Sequence, residues 1–162
     1  MADMEAQPPS DTDDLRLGRL GDFVGFRLRR IQNQLGRAFA AATAEHGLRS
    51  GLFSALAIIS ANPGLSQIRL AREVGLDKSL AVAAVDDLER RGWAVRRRSP
   101  TDRRRHALFV TEAGEAALGS LFRRLEDVER DVLTSLSREE LAMLNGLLDR
   151  IYKTCFRERT GA

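Results

Sequence analysis

The sequence predicts a mainly α-helical protein with one small β-hairpin. Apolar residues recur at steps of three and four over most of the 162 residues, which is the period of helices with one buried face. On either side of the segment RRRSPTDRRRH (96–106) the period changes to two, as it does in strands. Glycines, prolines and capping residues separate these stretches, so each element can be placed in order.

The first part of the chain is predicted to hold a tail and two helices. Residues 1–14 are acidic and offer little to bury, which is typical of a disordered tail, and 159–162 are expected to be a second one. A long amphipathic helix is expected from Leu15 to His46. A second helix should occupy 50–64, capped by Ser50 and ended by its last three residues, Asn-Pro-Gly.

Residues 65–93 have the pattern of two helices joined by a tight turn. Ser66 is expected to cap a short helix that runs through Val74, and Gly75 supplies the turn. Asp77 can cap the second helix, which should end at Gly92. The spacing predicts that its buried face consists of Leu80, Ala81, Ala84, Val85 and Leu88.

A hairpin and two helices complete the predicted layout. Alternation at Trp93, Val95 and Arg97, and again at His106, Leu108 and Val110, predicts two strands around the turn RSPTDR. Thr111, near Gly114, should cap a long helix, and SREE (137–140) is a capping box that opens the last one. The inward face of that last helix is predicted to hold Leu141, Leu144, Leu147, Leu148, Ile151 and Cys155. A buried structural thiol is therefore expected at Cys155 rather than a redox sensor.

Charge is distributed unevenly along the chain. The net charge is +3, but residues 1–14 carry −5 and residues 90–106 carry +7, from eight arginines against Asp102. A cluster this local is the electrostatic footprint of a protein that binds a polyanion.

Several classes of protein are disfavoured by what the sequence contains. One cysteine and two histidines make a zinc site implausible, and no nucleophile with a matching base points to an enzyme. No cofactor is expected. Apolar runs are too short for a membrane span, and the single cysteine suits the cytoplasm.

The helix pair and the hairpin together favour double-stranded DNA as the partner. In a helix-turn-helix the second helix enters the major groove, and a hairpin that follows it is a wing whose tip can reach the minor groove. Arginine gains from the negative potential of a narrow minor groove. Asp102 can hold the guanidinium of Arg104 and aim it; the alternative is that Asp102 only relieves repulsion on a solvated loop.

The segment GWAVRRRSPTDRRRHALFVTEAG resembles the signature of the MarR family of bacterial transcription regulators. The shared features are an arginine-rich wing with Asp-x-Arg at its tip, and a strand that closes on a Thr-x-x-Gly helix start. The resemblance spans about residues 15–155. It matches Asp102 and Arg104 to the wing-tip pair, and Ser66 and Gln67 to the start of the helix that contacts the DNA backbone.

The resemblance implies a winged helix-turn-helix lobe at 49–112 and a dimerisation lobe formed by helices at 15–48 and 113–158. It further implies a homodimer that binds a pseudo-palindromic operator, most commonly as a repressor, and that releases DNA when a small aromatic ligand binds. The unusual length of the first and last helices independently suggests that they pack together and against a second copy.

One departure from the family pattern concerns the recognition helix. Positions that often carry Ser, Thr and Arg hold Leu80, Val82 and Ala83 here, so Val82 and Ala83 could touch only thymine methyls. Affinity should then depend on phosphates and DNA shape, and a non-specific architectural DNA-binding protein is the alternative function. The candidate DNA contacts are Ser66, Gln67, Asp77, Lys78, Ser79, Val82, Ala83, Arg97, Arg98, Thr101, Asp102, Arg103, Arg104 and Arg105.

The first helix also suggests an effector site. Its arginines resemble those of relatives that respond to aromatic acids or their CoA thioesters, since guanidinium groups suit CoA phosphates. The candidate effector residues are Phe23, Phe26, Arg27, Arg30 and Phe53. The alternative is a solvated helix face whose arginine stems cover apolar surface.

Overall fold

The computed structural model describes residues 17–48, 51–98 and 106–157. The chain divides into two compact units, one ending at Gln34 and the other beginning at Leu35. The described helices and strands are α1 (Val24–Ala42), α2 (Leu52–Ala61), β1 (Leu65–Ser66), α3 (Gln67–Val74), α4 (Lys78–Arg90), β2 (Ala94–Arg98), β3 (His106–Val110), α5 (Glu112–Val132) and α6 (Arg138–Arg157). The prediction of a mainly α-helical chain with a small hairpin is confirmed.

The long helix predicted from Leu15 to His46 is not continuous. A 3₁₀ turn at Gly18–Asp22 precedes α1, and Phe23 between them has extended backbone. At its other end α1 stops at Ala42, where the Thr43 hydroxyl donates to the Phe39 carbonyl at 2.7 Å. Such a side-chain bond competes with the helical pattern, so a second 3₁₀ turn (Ala44–His46) follows.

The helix predicted at 50–64 is shorter than expected. Helix α2 begins after Gly51, which has left-handed backbone (φ 85°), and Ser50 lies outside the described residues. At the other end the Asn62 side chain donates to the Ile58 carbonyl, and Pro63 cannot continue the ladder. Asn62, Pro63 and Gly64 therefore form the exit from α2.

The core of the second unit forms around α2. Leu56 and Ile59 of α2 are fully buried and belong to one cluster with residues of the helix pair, β3 and α5, among them Leu70, Leu88 and Leu108. On α4 the buried stripe is Ala81, Val85 and Leu88, whereas Leu80, predicted to be buried, is 54% exposed. One residue is a rotation of about 100° around a helix, and this turns Leu80 away from the stripe.

The sheet contains a strand that the sequence did not predict. Strand β3 lies between β2 and the two-residue β1, and both pairings are antiparallel. Leu65 pairs with Leu108, so the start of the helix pair is tied to the hairpin. Two residues are too few to display an alternating pattern, which explains why β1 was missed.

Helix α6 opens with the predicted capping box. The Ser137 N–H donates to Glu140, and the Glu140 N–H donates to the Ser137 hydroxyl. The predicted inward face is wrong for the single chain, because its residues beyond Leu144 are exposed. They are Leu147, Leu148, Ile151 and Cys155. Cys155 is therefore not a buried thiol within this chain.

Candidate nucleic-acid interface

The helix-turn-helix is held by a cap on each helix and a glycine between them. The Ser66 side chain accepts the Arg69 N–H, and Asp77 accepts the Leu80 N–H at 2.8 Å. Gly75 has φ 71°, in the left-handed region that favours glycine, and its N–H donates to carbonyls at the end of α3. All three predicted positions are confirmed as the residues that shape the turn.

The first turn of α4 exposes the predicted contact residues, but two of them are engaged with each other. Asp77, Lys78 and Ser79 are exposed, and the Ser79 hydroxyl donates to Asp77 at 2.7 Å. The Leu80 N–H and this hydroxyl hold the pKa of the Asp77 carboxyl below its ordinary value of 3.8. Val82 is 38% exposed and Ala83 is exposed. Beyond this polar first turn, α4 exposes the apolar side chains of Leu80, Val82 and Ala83.

The arginine cluster of residues 90–106 separates into two described groups. Arg90 and Arg91 pair with Asp87, and Arg96 pairs with Glu89 and Asp86, so α4 neutralises these three cations. Arg97 and Arg98, at the end of β2, are exposed. The guanidinium of Arg97 lies 5.1 Å from the centre of the Phe109 ring on β3, a cation–π contact that restrains it.

The predicted wing tip lies outside the described residues. It comprises Thr101, Asp102, Arg103, Arg104 and Arg105, and for these residues the DNA contacts remain predictions. The described part of the hairpin ends at Arg98 and resumes at His106, and these two residues pair across the strands.

Two exposed cations next to the helix-turn-helix were missed by the sequence reasoning. Arg69 and Arg72 lie on α3 and are exposed. Their three-residue spacing could have identified them, because residues three apart share one face of a helix. Arg69 follows closely after Ser66 and Gln67, the predicted backbone contacts.

A close contact joins the base of the hairpin to α5. Thr111 caps α5 by accepting the Gly114 N–H at 3.0 Å, and its hydroxyl donates to the Gly92 carbonyl at 2.6 Å. A Cβ at Gly114 would lie 2.0 Å from the carbonyl oxygen of Trp93. Only glycine lets α5 begin this close to β2, which explains the Thr-x-x-Gly pattern.

The candidate effector residues fall in both compact units. In the first, Phe26, Arg27 and Arg30 line one shallow depression of about 410 Å³, and Arg29 and Arg30 lie over the Phe26 ring at 5.5 and 6.0 Å. Phe23 is 60% exposed.

In the second unit the phenylalanine that the sequence singled out belongs to an aromatic cluster. The Phe53 ring contacts Phe39 and Phe122, with ring centres 5.2 and 5.1 Å apart. Phe122 is 43% exposed. Phe39 and Phe122 were not identified from sequence, because these three residues lie far apart along the chain.

Other kinds of site are not evident in the described part of the chain. Its His, Cys, Asp and Glu side chains include no group of three that could hold a metal ion. Among residues 17–48, 51–98 and 106–157 no helix is both long and apolar enough to cross a membrane.

Comparison with known proteins identifies relatives over almost the whole chain. The MarR family model matches residues 46–105. A putative transcriptional regulatory protein for the hcr operon of Thauera aromatica is 40% identical over 145 residues, which are 89% of this chain and 87% of that protein.

Two of the similar solved structures are of the repressor CouR. One is bound to a 23-mer DNA duplex and is 35% identical, with a TM-score of 0.76 over 86% of this chain and 99% of that one. The other, from Rhodococcus jostii RHA1, is bound to p-coumaroyl-CoA and is 29% identical, with a TM-score of 0.71 over 85% of this chain and 94% of that one.

Proposed function

The chain belongs to the MarR family of transcriptional regulators, and we propose that it is a homodimeric repressor whose release from a pseudo-palindromic operator is controlled by a small aromatic ligand. The observation that carries the DNA-binding part is the position of exposed Arg97 and Arg98 on a hairpin hydrogen-bonded to the start of the capped helix-turn-helix. The relative CouR, bound to a DNA duplex, supports it. Regulators of this kind act on DNA in the cytoplasm.

In the proposed complex α4 enters the major groove and the hairpin follows the adjacent backbone. Lys78, Arg97 and Arg98 would contact phosphates, together with Ser66 and Gln67 at the start of α3. At the wing tip, Asp102 would aim Arg104 while its neighbours Thr101, Arg103 and Arg105 contact the backbone. Arg104→Ala and Asp102→Ala should both weaken binding to many sequences; tighter binding by Asp102→Ala would refute the aiming role.

The sequence predicts that residues 49–112 form a DNA-binding lobe and that residues 15–48 and 113–158 form a dimerisation lobe. Exposed apolar side chains support the second assignment, because large apolar patches on one chain usually mark an interface. On α6 they include Leu147 and Ile151, and in the first unit Leu28 and Ile31.

The dimer can be tested with one pair of variants. Ile151→Lys should give a monomer in sedimentation equilibrium at micromolar concentration, because it places a charge in the proposed interface. Asp149→Lys, about half a turn away on α6, should remain dimeric. A wild-type monomer at these concentrations would refute the dimer.

The proposed effector is an aromatic acid or its CoA thioester. The p-coumaroyl-CoA in the relative CouR supports this class. So do the arginines around Phe26 in the first unit, which could bind phosphates.

Calorimetry can separate the parts of such a ligand. We expect heat of binding from p-coumaroyl-CoA and less heat from p-coumarate or CoA alone. The double variant with Arg27→Ala and Arg30→Ala should weaken binding of the thioester more than binding of the free acid. Heat from none of the three ligands would favour the alternative, a solvated helix face.

Non-specific architectural DNA binding is the second candidate function. It is favoured by the exposed apolar side chains of Leu80, Val82 and Ala83 on α4 and by the Ser79–Asp77 hydrogen bond, which together leave few groups to read base edges. To discriminate between the two functions, the DNA retained by the purified protein is sequenced, and competition by a duplex of random sequence is then measured. We expect the protein to bind the selected sequence at least about 10³-fold more tightly than the random duplex. A ratio of the two affinities near one would refute the operator-specific function.

A further inference from the structure

Arg96 joins three elements of the candidate nucleic-acid interface. It lies on β2, its backbone N–H donates to Glu89 Oε1 of α4 at 2.7 Å, and its guanidinium contacts the other Glu89 oxygen. The Nη1 atom that makes this contact with Glu89 also lies 2.7 Å from Asp86 Oδ1. Nη2 donates to Gln67 Oε1 at the start of α3, at 3.4 Å. One side chain therefore touches both helices of the helix-turn-helix from the hairpin.

The contacts to Glu89 fix β2 relative to α4. A carboxylate that accepts from the backbone and from the guanidinium of one residue holds that residue at two points. The Arg96 side chain is only 21% exposed, so solvent screens this pair less than it screens a surface pair. Arg97 and Arg98 follow directly on the same strand, so this pair contributes to their position relative to α4.

The contact to Gln67 determines which end of its carboxamide is free. Arginine has only hydrogen-bond donors, so the atom that faces it must be the amide oxygen. The Nε2 group of Gln67 is then directed away from Arg96 and can donate to an acceptor such as a phosphate oxygen. A reversed carboxamide would place donor against donor.

We propose that Arg96 is a positioning residue for DNA binding, which holds Arg97 and Arg98 in register with α4 and orients the Gln67 amide as a phosphate donor. The inference rests on the proposed function and identifies a role that bulk charge does not explain. Arg96 is already neutralised by Glu89 and Asp86, so its effect on DNA passes through its neighbours.

The first test compares two paired arginines. Arg96→Met should weaken binding to the selected duplex by about tenfold, whereas Arg90→Met should change it by less than about twofold, because both lose one charge but Arg90 pairs with Asp87 of its own helix rather than across elements. Urea unfolding of each variant verifies that the fold is kept. Equal effects of the two substitutions would overturn the proposal.

Two further measurements separate positioning from general damage. In a double-mutant cycle, Arg98→Ala should cost less affinity in the Arg96→Met background than in the wild type; additive effects would overturn the proposal. The glutamate of Gln67→Glu still accepts a hydrogen bond from Arg96 but cannot donate one to a phosphate, so it should lower the affinity for DNA without lowering the urea midpoint of unfolding. An unchanged affinity for DNA would refute the role of the Gln67 amide as a phosphate donor.

A substitute is available if Arg96→Met does not fold. Glu89→Gln can still accept the Arg96 N–H but loses its own ion pair with Arg96, while the pair with Asp86 remains, so it should reproduce the coupling to Arg98→Ala in a weaker form. Wild-type protein that binds no duplex would refute the proposed function itself. If the wild type binds the duplex, but Glu89→Gln leaves the affinity unchanged and shows no coupling to Arg98→Ala, only the positioning role is refuted.

Discussion

Replacing Gly114 with alanine should be one of the most damaging single-methyl changes in the described part of the chain. The added Cβ would lie 2.0 Å from the Trp93 carbonyl oxygen and 2.6 Å from Val110 Cγ1, whereas Cβ contacts under 3.0 Å essentially do not occur. The start of α5 must therefore retreat from β2 by about 1 Å. The same carbonyl accepts the Thr111 N–H at 3.0 Å, so the retreat also weakens that bond.

The expected cost follows from these two effects. Overpacking costs about 1–3 kcal/mol and a lost hydrogen bond about 1 kcal/mol, while alanine regains up to about 1 kcal/mol of helix propensity. We expect a net loss of about 2 kcal/mol in the free energy of unfolding. For a chain of this length that lowers the Tm by about 4–8 °C.

Urea and thermal unfolding by circular dichroism, at one fixed protein concentration, measure this loss. Gly119→Ala is the matched control on the same helix, because the nearest atom to its added Cβ is the Arg123 Nη1 at 4.0 Å. This control should gain about 0.5–1 kcal/mol. Similar stability of the two variants would refute the close contact between α5 and β2.

Three other outcomes are expected from the same structure. Thr111→Val should lose about 1–2 kcal/mol of stability in urea unfolding, since it removes the cap of α5 and the bond to Gly92, while Thr134→Val, at an exposed position, should not. The Tm difference between wild type and Asp77→Ala should be constant above the unfolded pKa of 3.8 and shrink as the pH falls through the lower folded pKa, because the Leu80 N–H and the Ser79 hydroxyl favour the charged carboxylate; a difference that does not shrink below pH 3.8 would contradict this. Replacing single thymines of the selected operator by uracil should weaken binding about fourfold where a methyl contacts Val82 or Ala83, and Val82→Ser should abolish that sensitivity at its position; uniform insensitivity would refute the methyl contacts.

Features that depend on neighbouring residues in the chain could be predicted from sequence. The caps at Ser66, Asp77, Thr111 and Ser137 each involve a donor three residues ahead, so local spacing is sufficient to find them. The hairpin strands were found because alternation extends over five residues. The break at Phe23 was missed, since apolar spacing continues through it and does not report the backbone angle.

Features that depend on tertiary contact could not be predicted. The exposure of Leu80 and the capture of Arg96 by Glu89 are set by how α4 packs against α2 and β2. The charge count grouped Arg96 with the arginines expected to bind a polyanion, because its partner Glu89 lies seven positions earlier in the chain, before the turn at Gly92. In the candidate site, Arg97 and Arg98 are exposed as their predicted role requires, while the contacts at the wing tip remain predictions.

The salt dependence of DNA binding tests the central claim most directly. A surface that holds the duplex through phosphates releases about one counterion for each contact, so log K falls linearly with log salt concentration. We predict a slope of at least about 5 in magnitude for the dimer on its selected operator, corresponding to six or more phosphates. A slope equivalent to only one or two released ions would contradict the account.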